Sequence, residues 1–344
     1  MHDRPQDARP VEQNRDRFYP KYFIQPRMTA PRHPEATVLH PMRTPKARVL
    51  GGMTPAHFLK RHWHRRAHLV RGAIPEFAGF LDRARMIALA CRDDVESRLV
   101  VRAGRRWSLD HGPFRRRDFA ALPARNWTLL VQGIDLHLDE GGRLLSLFGF
   151  VPKARLDDLM VSYAVPGGGV GPHFDSYDVF LLQGPGRRRW RIGAQTDLAL
   201  RDDVPLKILK HFEPEAEHVL EPGDMLYLPP RYAHEGTAID ECLTYSIGFR
   251  APAYTELAAE FLHDLADGVE LAGRYADPGL APTRRAGRLP VRLVDAAEKQ
   301  LRRMRWQRRT LEEFLGRYLS EPKNSTLFAP ADAPPAATLR RALH

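Results

Sequence analysis

The chain has 344 residues, 43% of them hydrophobic, and is long enough to bury a substantial core. Its net charge is +11, from 53 Lys and Arg against 42 Asp and Glu, and no apolar run approaches the ~20 residues of a membrane-spanning helix. Without an apolar signal core or a metal-binding cysteine pattern (only Cys91 and Cys242 are present), the sequence predicts a soluble, cytoplasmic protein with buried thiols and argues against membrane, secreted and cysteine-based zinc proteins.

The positive charge is concentrated at the two ends of the chain. Residues 1–48 carry a net +5 and residues 283–344 carry +8, which leaves −2 for residues 49–282. A basic protein usually suggests nucleic-acid binding, but here the central body is near neutral. This distribution suits a body that accepts a basic peptide and ends that contact RNA weakly.

The first predicted elements are an arm and two helices. Residues 1–48 are rich in Arg, Pro, His and Asp and have no sustained apolar period, which predicts a disordered basic arm. Thr54 followed by Pro55 is a favourable N-cap and first-turn pair, so the first helix is predicted to begin there. A second helix is predicted over residues 79–91.

Residues 95–250 are predicted to be β-structure. This region contains many short strand-like runs, Gly/Pro turns and little helical periodicity, which is typical of a barrel or sandwich. The clearest predicted strands cover residues 97–101, 106–109, 127–132, 157–165, 177–182 and 242–249. We therefore expect a mainly β domain with some α over residues 49–252.

The composition changes after the last predicted strand. Residues 254–271 and 291–319 have apolar side chains at helical spacing, so residues 253–321 are predicted to be a helical region. Residues 322–344 form a separate tail, which becomes rich in Pro and Ala from about residue 329.

Two histidines and one aspartate form the candidate metal site. His173 and Asp175 lie two positions apart on a predicted extended segment, so both side chains can face one point. His234 follows a Pro-Gly-Asp turn and a short apolar run. Two imidazoles and one carboxylate leave coordination positions open, which favours non-haem Fe(II) over the closed tetrahedral site of structural zinc.

Two similar motifs compete with this one, at residues 137–139 (HLD) and 211–213 (HFE). The first is followed by Glu-Gly-Gly and has no flanking β-branched or aromatic run, whereas His173 follows a Gly-rich hinge and leads into a strand-like run. We therefore predict His173, Asp175 and His234 as the metal ligands.

Three stretches carry a resemblance to a known family: GGVGPHFDSYDVF at 168–180, QGPGRRRW at 183–190 and PGDMLYLPP at 222–230. From about residue 50 to about residue 330 the chain closely resembles the bacterial ribosomal oxygenases. These are JmjC-type 2-oxoglutarate enzymes that hydroxylate an arginine of a large-subunit ribosomal protein. The resemblance implies a double-stranded β-helix (JmjC/cupin fold), and it implies Fe(II), 2-oxoglutarate and O₂ as cofactors.

The resemblance also concerns the C-terminal part of the chain. In the family, an all-α segment corresponding to residues 253–321 mediates dimerisation, which implies a homodimer. A winged-helix-like domain follows that segment, and residues 322–344 are then expected to be its truncated remnant.

Arg188 is the predicted partner of the 2-oxoglutarate carboxylate. A guanidinium grips a carboxylate with two parallel hydrogen bonds. Four arginines compete in the run from 187 to 191, but on a strand Arg188 shares its face with the apolar Trp190 and Ile192, so we expect it to point inward. The resemblance also indicates Arg188, and it supports Ser162 as a second contact; Ser246 is a weaker candidate.

Tyr177 and Asp178 are candidate substrate contacts because they follow the metal motif and because a bound arginine needs a carboxylate or an aromatic face. In a regular strand Tyr177 points inward with Asp175 and Asp178 points away. The alternative is that both occupy ordinary barrel positions.

Other functions stay open at this point. Related eukaryotic ribosomal oxygenases hydroxylate histidine, and other JmjC proteins demethylate lysine. A non-catalytic, cupin-like protein that binds RNA or the ribosome through its basic ends is a third alternative, but such a protein needs neither the metal motif nor Arg188.

Overall fold

The structure is a computed structural model that describes residues 48–268 and 271–320. The predicted arm, apart from Arg48, and the predicted 322–344 tail lie outside the described residues. The described helices are α1 (Pro55–Arg61), α2 (Arg83–Ala90), α3 (Arg116–Ala120), α4 (Ile134–His137), α5 (Asp139–Ser146), α6 (Tyr254–Gly268), α7 (Val291–Leu301) and α8 (Arg308–Ser320).

Eleven strands in the described part of the chain form two antiparallel sheets. The strands are β1 (His68–Val70), β2 (Ser97–Ala103), β3 (Arg106–His111), β4 (Trp127–Val131), β5 (Leu156–Ala164), β6 (Val179–Gln183), β7 (Arg188–Gly193), β8 (Ala216–Leu220), β9 (Met225–Leu228), β10 (Ala233–Ala238) and β11 (Cys242–Phe249). The larger sheet has the order β1-β9-β6-β11-β5-β4-β2-β3, and the smaller has the order β10-β7-β8.

Two apolar clusters hold these sheets in place. A large core that includes residues of α1, α2 and α5 covers one face of the larger sheet, with Phe58, Phe180 and Tyr227 among its fully buried rings. A smaller cluster packs Leu181 of the larger sheet with Trp190 of the smaller one. The two sheets therefore face each other, as in a double-stranded β-helix.

Local sequence explains where several elements begin and end. Thr54 caps α1 as predicted, its side chain accepting a hydrogen bond from the His57 N–H. The second helix begins at residue 83, not 79, because the Asp82 carboxylate accepts a hydrogen bond from the Arg85 N–H and acts as the N-cap. The long helix predicted over 291–319 is two helices.

The break between α7 and α8 has a visible packing consequence. Residues 302–307 leave the helix, and the Trp306 ring packs edge-on against Phe261 of α6, with 5.5 Å between the ring centroids. A continuous apolar period does not reveal such a break, because both halves keep helical spacing.

Among the described residues, no helix combines the length and the apolar composition that crossing a membrane requires.

Candidate metal centre and co-substrate pocket

His173 and His234 are brought together by their own backbones. They form an isolated antiparallel bridge in which each N–H donates to the carbonyl oxygen of the other, at 2.9 and 2.8 Å. The backbone of Asp175 is held by the segment that precedes His234, because the Asp175 carbonyl oxygen accepts a hydrogen bond of 2.6 Å from the Arg231 N–H. Residues far apart in the sequence thus become neighbours at one end of β10.

The three side chains offer a convergent set of donor atoms. One ligand atom from each of His173, Asp175 and His234 lies within 4.8 Å of the other two. The Nε2 atom of His234 is 3.7 Å from a carboxylate oxygen of Asp175. Within the described residues, no other group of three His, Cys, Asp or Glu side chains meets this criterion.

Both imidazoles are oriented by backbone carbonyls. Nδ1–H of His173 donates to the Gly171 carbonyl at 2.9 Å, and Nδ1–H of His234 donates to the Tyr232 carbonyl at 2.8 Å. Metal-binding histidines commonly use one ring nitrogen in this way, which leaves Nε2 for the metal. These carbonyls could not be predicted from the sequence, because any residue type supplies one.

The electrostatics suit a metal ligand. His234 is only 2% exposed. Burial, with a further contribution from nearby His173, lowers the pKa of His234 to about 4. His234 is therefore neutral at pH 7, the form that binds a metal.

The competing motif at 137–139 is built differently. His137 is the last residue of α4 and Asp139 the first of α5, so the two are not on an extended segment. Burial, and to a smaller extent Arg92, lowers the pKa of His137. This arrangement is consistent with the prediction that His173, and not His137, is a metal ligand.

Arg188 lies where strand alternation predicts. In β7, Arg188, Trp190 and Ile192 are buried, whereas Arg189 is exposed. Arg188 is 4% exposed and donates from Nη1 to the Ser162 hydroxyl at 3.1 Å, which connects the smaller sheet to β5 of the larger one.

The remaining donors of Arg188 indicate an anionic ligand. Its Nε and Nη2 atoms are buried, and among the described residues neither has a hydrogen-bond partner. An unpaired buried guanidinium is costly, and a carboxylate with two oxygens is the group that matches its two free donors. The residues present therefore fit 2-oxoglutarate. Ser246, the weaker candidate for a second contact, is also buried. The β11 residue that pairs with Ser162 is Thr244, so Ser246 is not the residue directly beside Ser162.

Trp190 lies beside the site. From the sequence it indicated only which face of the strand is apolar. Its ring centroid is 5.9 Å from that of His234, and the Arg188 guanidinium carbon lies 5.9 Å from its ring. A Cβ at Gly236 would approach the Trp190 ring to 2.7 Å, so glycine at 236 makes room for it. Trp190 thus covers one side of both functional groups with apolar surface.

The two candidate substrate contacts differ in environment. Tyr177 is 37% exposed, and partial burial, followed by the charge of Asp175, raises the pKa of its hydroxyl. Asp178 is 0% exposed, accepts a hydrogen bond from the Tyr227 hydroxyl and lies 3.0 Å from Nε2 of His64. A buried carboxylate in this network is not open to a peptide, so the prediction of Asp178 as a substrate contact is not supported, whereas the Tyr177 side chain is exposed enough to reach a substrate.

Two opposed antiparallel sheets that hold a His-x-Asp…His group beside a buried arginine define the class of JmjC-type 2-oxoglutarate oxygenases. Comparison with known proteins gives the same class: a family model described as JmjC domain matches residues 143–257. Both the predicted fold class and the predicted type of enzyme are confirmed.

Individual relatives indicate which members of this class the chain resembles. The chain is 36% identical over 279 residues to ribosomal protein uL16 3-hydroxylase of Escherichia coli (strain K12), covering 80% of this chain and 74% of that protein. It is 39% identical over 233 residues to a probable ribosomal oxygenase of Haemophilus influenzae, covering 66% and 55%. The X-ray structure of E. coli ycfD matches with a TM-score of 0.71 and 34% identity, covering 85% of this chain and 78% of that one.

A further solved structure holds the relevant ligands. The E. coli ribosomal oxygenase YcfD in complex with cobalt and 2-oxoglutarate matches with a TM-score of 0.67 and 34% identity, covering 82% and 75%. This chain belongs to the JmjC ribosomal oxygenase family. It is a dioxygenase that depends on Fe(II), 2-oxoglutarate and O₂, as its sequence predicted.

Proposed function

We propose that this dioxygenase hydroxylates an arginine side chain of a large-subunit ribosomal protein. The observation that carries the proposal is the convergence of three metal-binding side chains beside a buried arginine with two free donors. The relative named a uL16 3-hydroxylase supports a ribosomal protein as substrate. The QGPGRRR run at 183–189 resembles the arginine-hydroxylating bacterial enzymes and favours arginine.

In this proposal His173, Asp175 and His234 hold Fe(II), and Arg188 with Ser162 holds the distal carboxylate of 2-oxoglutarate. The bound metal, with 2-oxoglutarate and O₂, supplies the oxidising power to hydroxylate an unactivated C–H bond. The chain's own residues bind and orient. The Gly171 and Tyr232 carbonyls fix the two imidazoles, Ser162 fixes the guanidinium, and Trp190 keeps water from one side.

Mass spectrometry of ribosomal proteins tests the proposal directly. We expect one large-subunit protein to carry the mass of one additional oxygen atom on an arginine when the gene is present, and to lack it when the gene is deleted. Restoring the gene with His173→Ala should not restore the modification. An additional oxygen on histidine instead would support the alternative suggested by a relative from Drosophila persimilis, 27% identical over 221 residues, that is named a bifunctional lysine-specific demethylase and histidyl-hydroxylase.

Tyr177 is proposed to contact the substrate arginine, by stacking on the guanidinium or its aliphatic stem. Tyr177→Ala should lower kcat/KM for an arginine peptide by roughly 2- to 30-fold, the range of a cation–π contact of about 0.5–2 kcal/mol. It should also raise uncoupled 2-oxoglutarate decarboxylation relative to peptide turnover. Tyr275→Ala, at a residue of similar exposure outside the β domain, is the matched control. Equal coupling in both variants would exclude the contact.

The helical region is proposed to form a homodimer. Leu289, Val291, Val294 and Leu301 are between 49% and 70% exposed, and α7 has no buried residue within its own chain. A groove between these side chains is lined mainly by apolar atoms of α7 and the preceding turn. Exposed apolar surface of this extent is typical of an interface, and the resemblance implies that a second copy covers it.

Light scattering at micromolar concentration should give twice the 39.2 kDa chain mass. The double variant Val294→Glu/Leu301→Glu should give a monomer, because it places charges in the proposed interface. Leu136→Glu, at an exposed leucine of α4, should leave the dimer intact. A monomeric native protein would rule out the dimer.

A further inference from the structure

A cationic pocket lies beside the metal centre and has no part in the proposed reaction. Its walls are Arg105 of the β2–β3 turn, Arg106 at the start of β3, and the segment that contains Arg201 and Lys210. Its volume is about 700 Å³, within the range of roughly 300–1,000 Å³ that is usual for ligand pockets. The pocket is large enough for a nucleotide-sized group.

The charge of this pocket is only partly neutralised. Arg201 pairs with Asp203 at 2.6 Å and Lys210 pairs with Asp202 at 2.9 Å. In the described ranges, no ion pair reaches Arg105 or Arg106, and both are exposed. The four cations and two carboxylates leave a local charge of +2 on a body, residues 49–282, whose total is −2. The positive charge is therefore a local feature of this surface.

An aromatic ring lies among these cations. Trp107 lines the pocket, is half-buried, and has the Arg102 guanidinium carbon 5.6 Å from its ring centroid. Unpaired guanidinium groups bind phosphates, and an aromatic side chain in a basic groove provides a surface on which a base can stack. A carboxylate-rich peptide would use the cations but gain little from the indole ring.

The pocket adjoins the metal centre through one glycine. A Cβ at Gly171 would lie 3.4 Å from the Trp107 ring and 2.9 Å from Ile208, so both side chains pack directly against Gly171. The carbonyl of Gly171 holds the His173 imidazole, and the carbonyl of Pro172 accepts a hydrogen bond from the Leu209 N–H. A ligand in the pocket therefore lies next to the segment that carries two proposed metal ligands.

We propose that this pocket binds single-stranded RNA, with phosphates on Arg105 and Arg106 and a base against Trp107. The binding itself is independent of the reaction. Its use would be to recognise a ribosomal protein that is already in contact with ribosomal RNA, and that part rests on the proposed function.

Fluorescence anisotropy with a labelled 12-nucleotide oligo(U) RNA tests the binding on the full-length protein. Arg105→Glu/Arg106→Glu should weaken binding at least tenfold. It should also reduce the slope of log K against log salt by about 1.4, because each phosphate contact on a single strand contributes about 0.7. The matched control is Arg116→Glu/Arg117→Glu, which makes the same charge change at exposed residues of α3 and should leave the slope nearly unchanged.

Each other outcome overturns the assignment. Equal weakening by the two double variants would mean that only the total charge matters. Native protein that does not bind RNA at low salt, or that binds oligo-glutamate more tightly than RNA, would exclude RNA as the occupant. Turnover of a short arginine peptide should be unchanged in Arg105→Glu/Arg106→Glu, so a loss of RNA binding is distinguishable from a failure of the proposed hydroxylase function.

Discussion

Replacing His173 with alanine should abolish Fe(II) binding and 2-oxoglutarate turnover. Loss of an outer partner of a metal ligand already costs roughly 10- to 100-fold in metal affinity, and His173→Ala removes a proposed ligand itself. His234→Ala should have the same effect. Isothermal titration with Fe(II) under anaerobic conditions, together with succinate formation, measures both losses.

The two variants differ in what they do to the fold. His173 is partly exposed, whereas His234 is 2% exposed and packs against Trp190, so His234→Ala should also lower the melting temperature. His173→Ala is therefore the cleaner test. His137→Ala changes the histidine of the competing motif and should keep Fe(II) binding. If His137→Ala lost iron and His173→Ala kept it, the assignment of the metal site would be wrong.

Replacing Arg188 with alanine should sharply raise the concentration of 2-oxoglutarate required for turnover. Truncating one partner of a buried, hydrogen-bonded charge pair costs about 2–5 kcal/mol, which corresponds to a factor between roughly 30 and several thousand. Arg188→Lys should recover only part of this loss, since lysine keeps the charge but lacks the planar fork. KM for 2-oxoglutarate, measured at saturating peptide, is the readout.

The neighbouring Arg189 is the matched control, because it differs from Arg188 only in facing solvent on the same strand. Arg189→Ala should change KM for 2-oxoglutarate less than twofold, a surface substitution of about 0.4 kcal/mol or less. Equal effects from the two variants would mean that the inward face of β7 does not hold the co-substrate.

The sequence predicted the parts of this site that depend on alternation along a strand. The period of two put Arg188 inside and Arg189 outside. The same period does not govern Tyr177 and Asp178, because residues 176–177 form a bend and β6 begins only at Val179, not at the predicted residue 177. The predicted orientation of Arg188 and Arg189 agrees with the structure because the side-chain direction of a strand residue is set locally, by its neighbours in the chain.

Features that depend on tertiary contacts were not predictable. The carbonyls that orient the two imidazoles leave no trace in residue type, and the burial of Asp178 depends on Tyr227 and His64, which are distant in the sequence. The break between α7 and α8 was also missed, because Trp306 packs on Phe261 from another helix. The pocket around Trp107 joins two segments about a hundred residues apart.

The most direct test of the account is an anaerobic absorbance titration of the native protein with Fe(II) and 2-oxoglutarate. We expect a visible band that requires both ligands, is absent in His173→Ala, and needs much more 2-oxoglutarate in Arg188→Ala than in Arg189→Ala. A native protein without this band, or a band that survives His173→Ala, would contradict the proposal that His173, Asp175, His234 and Arg188 form the active site.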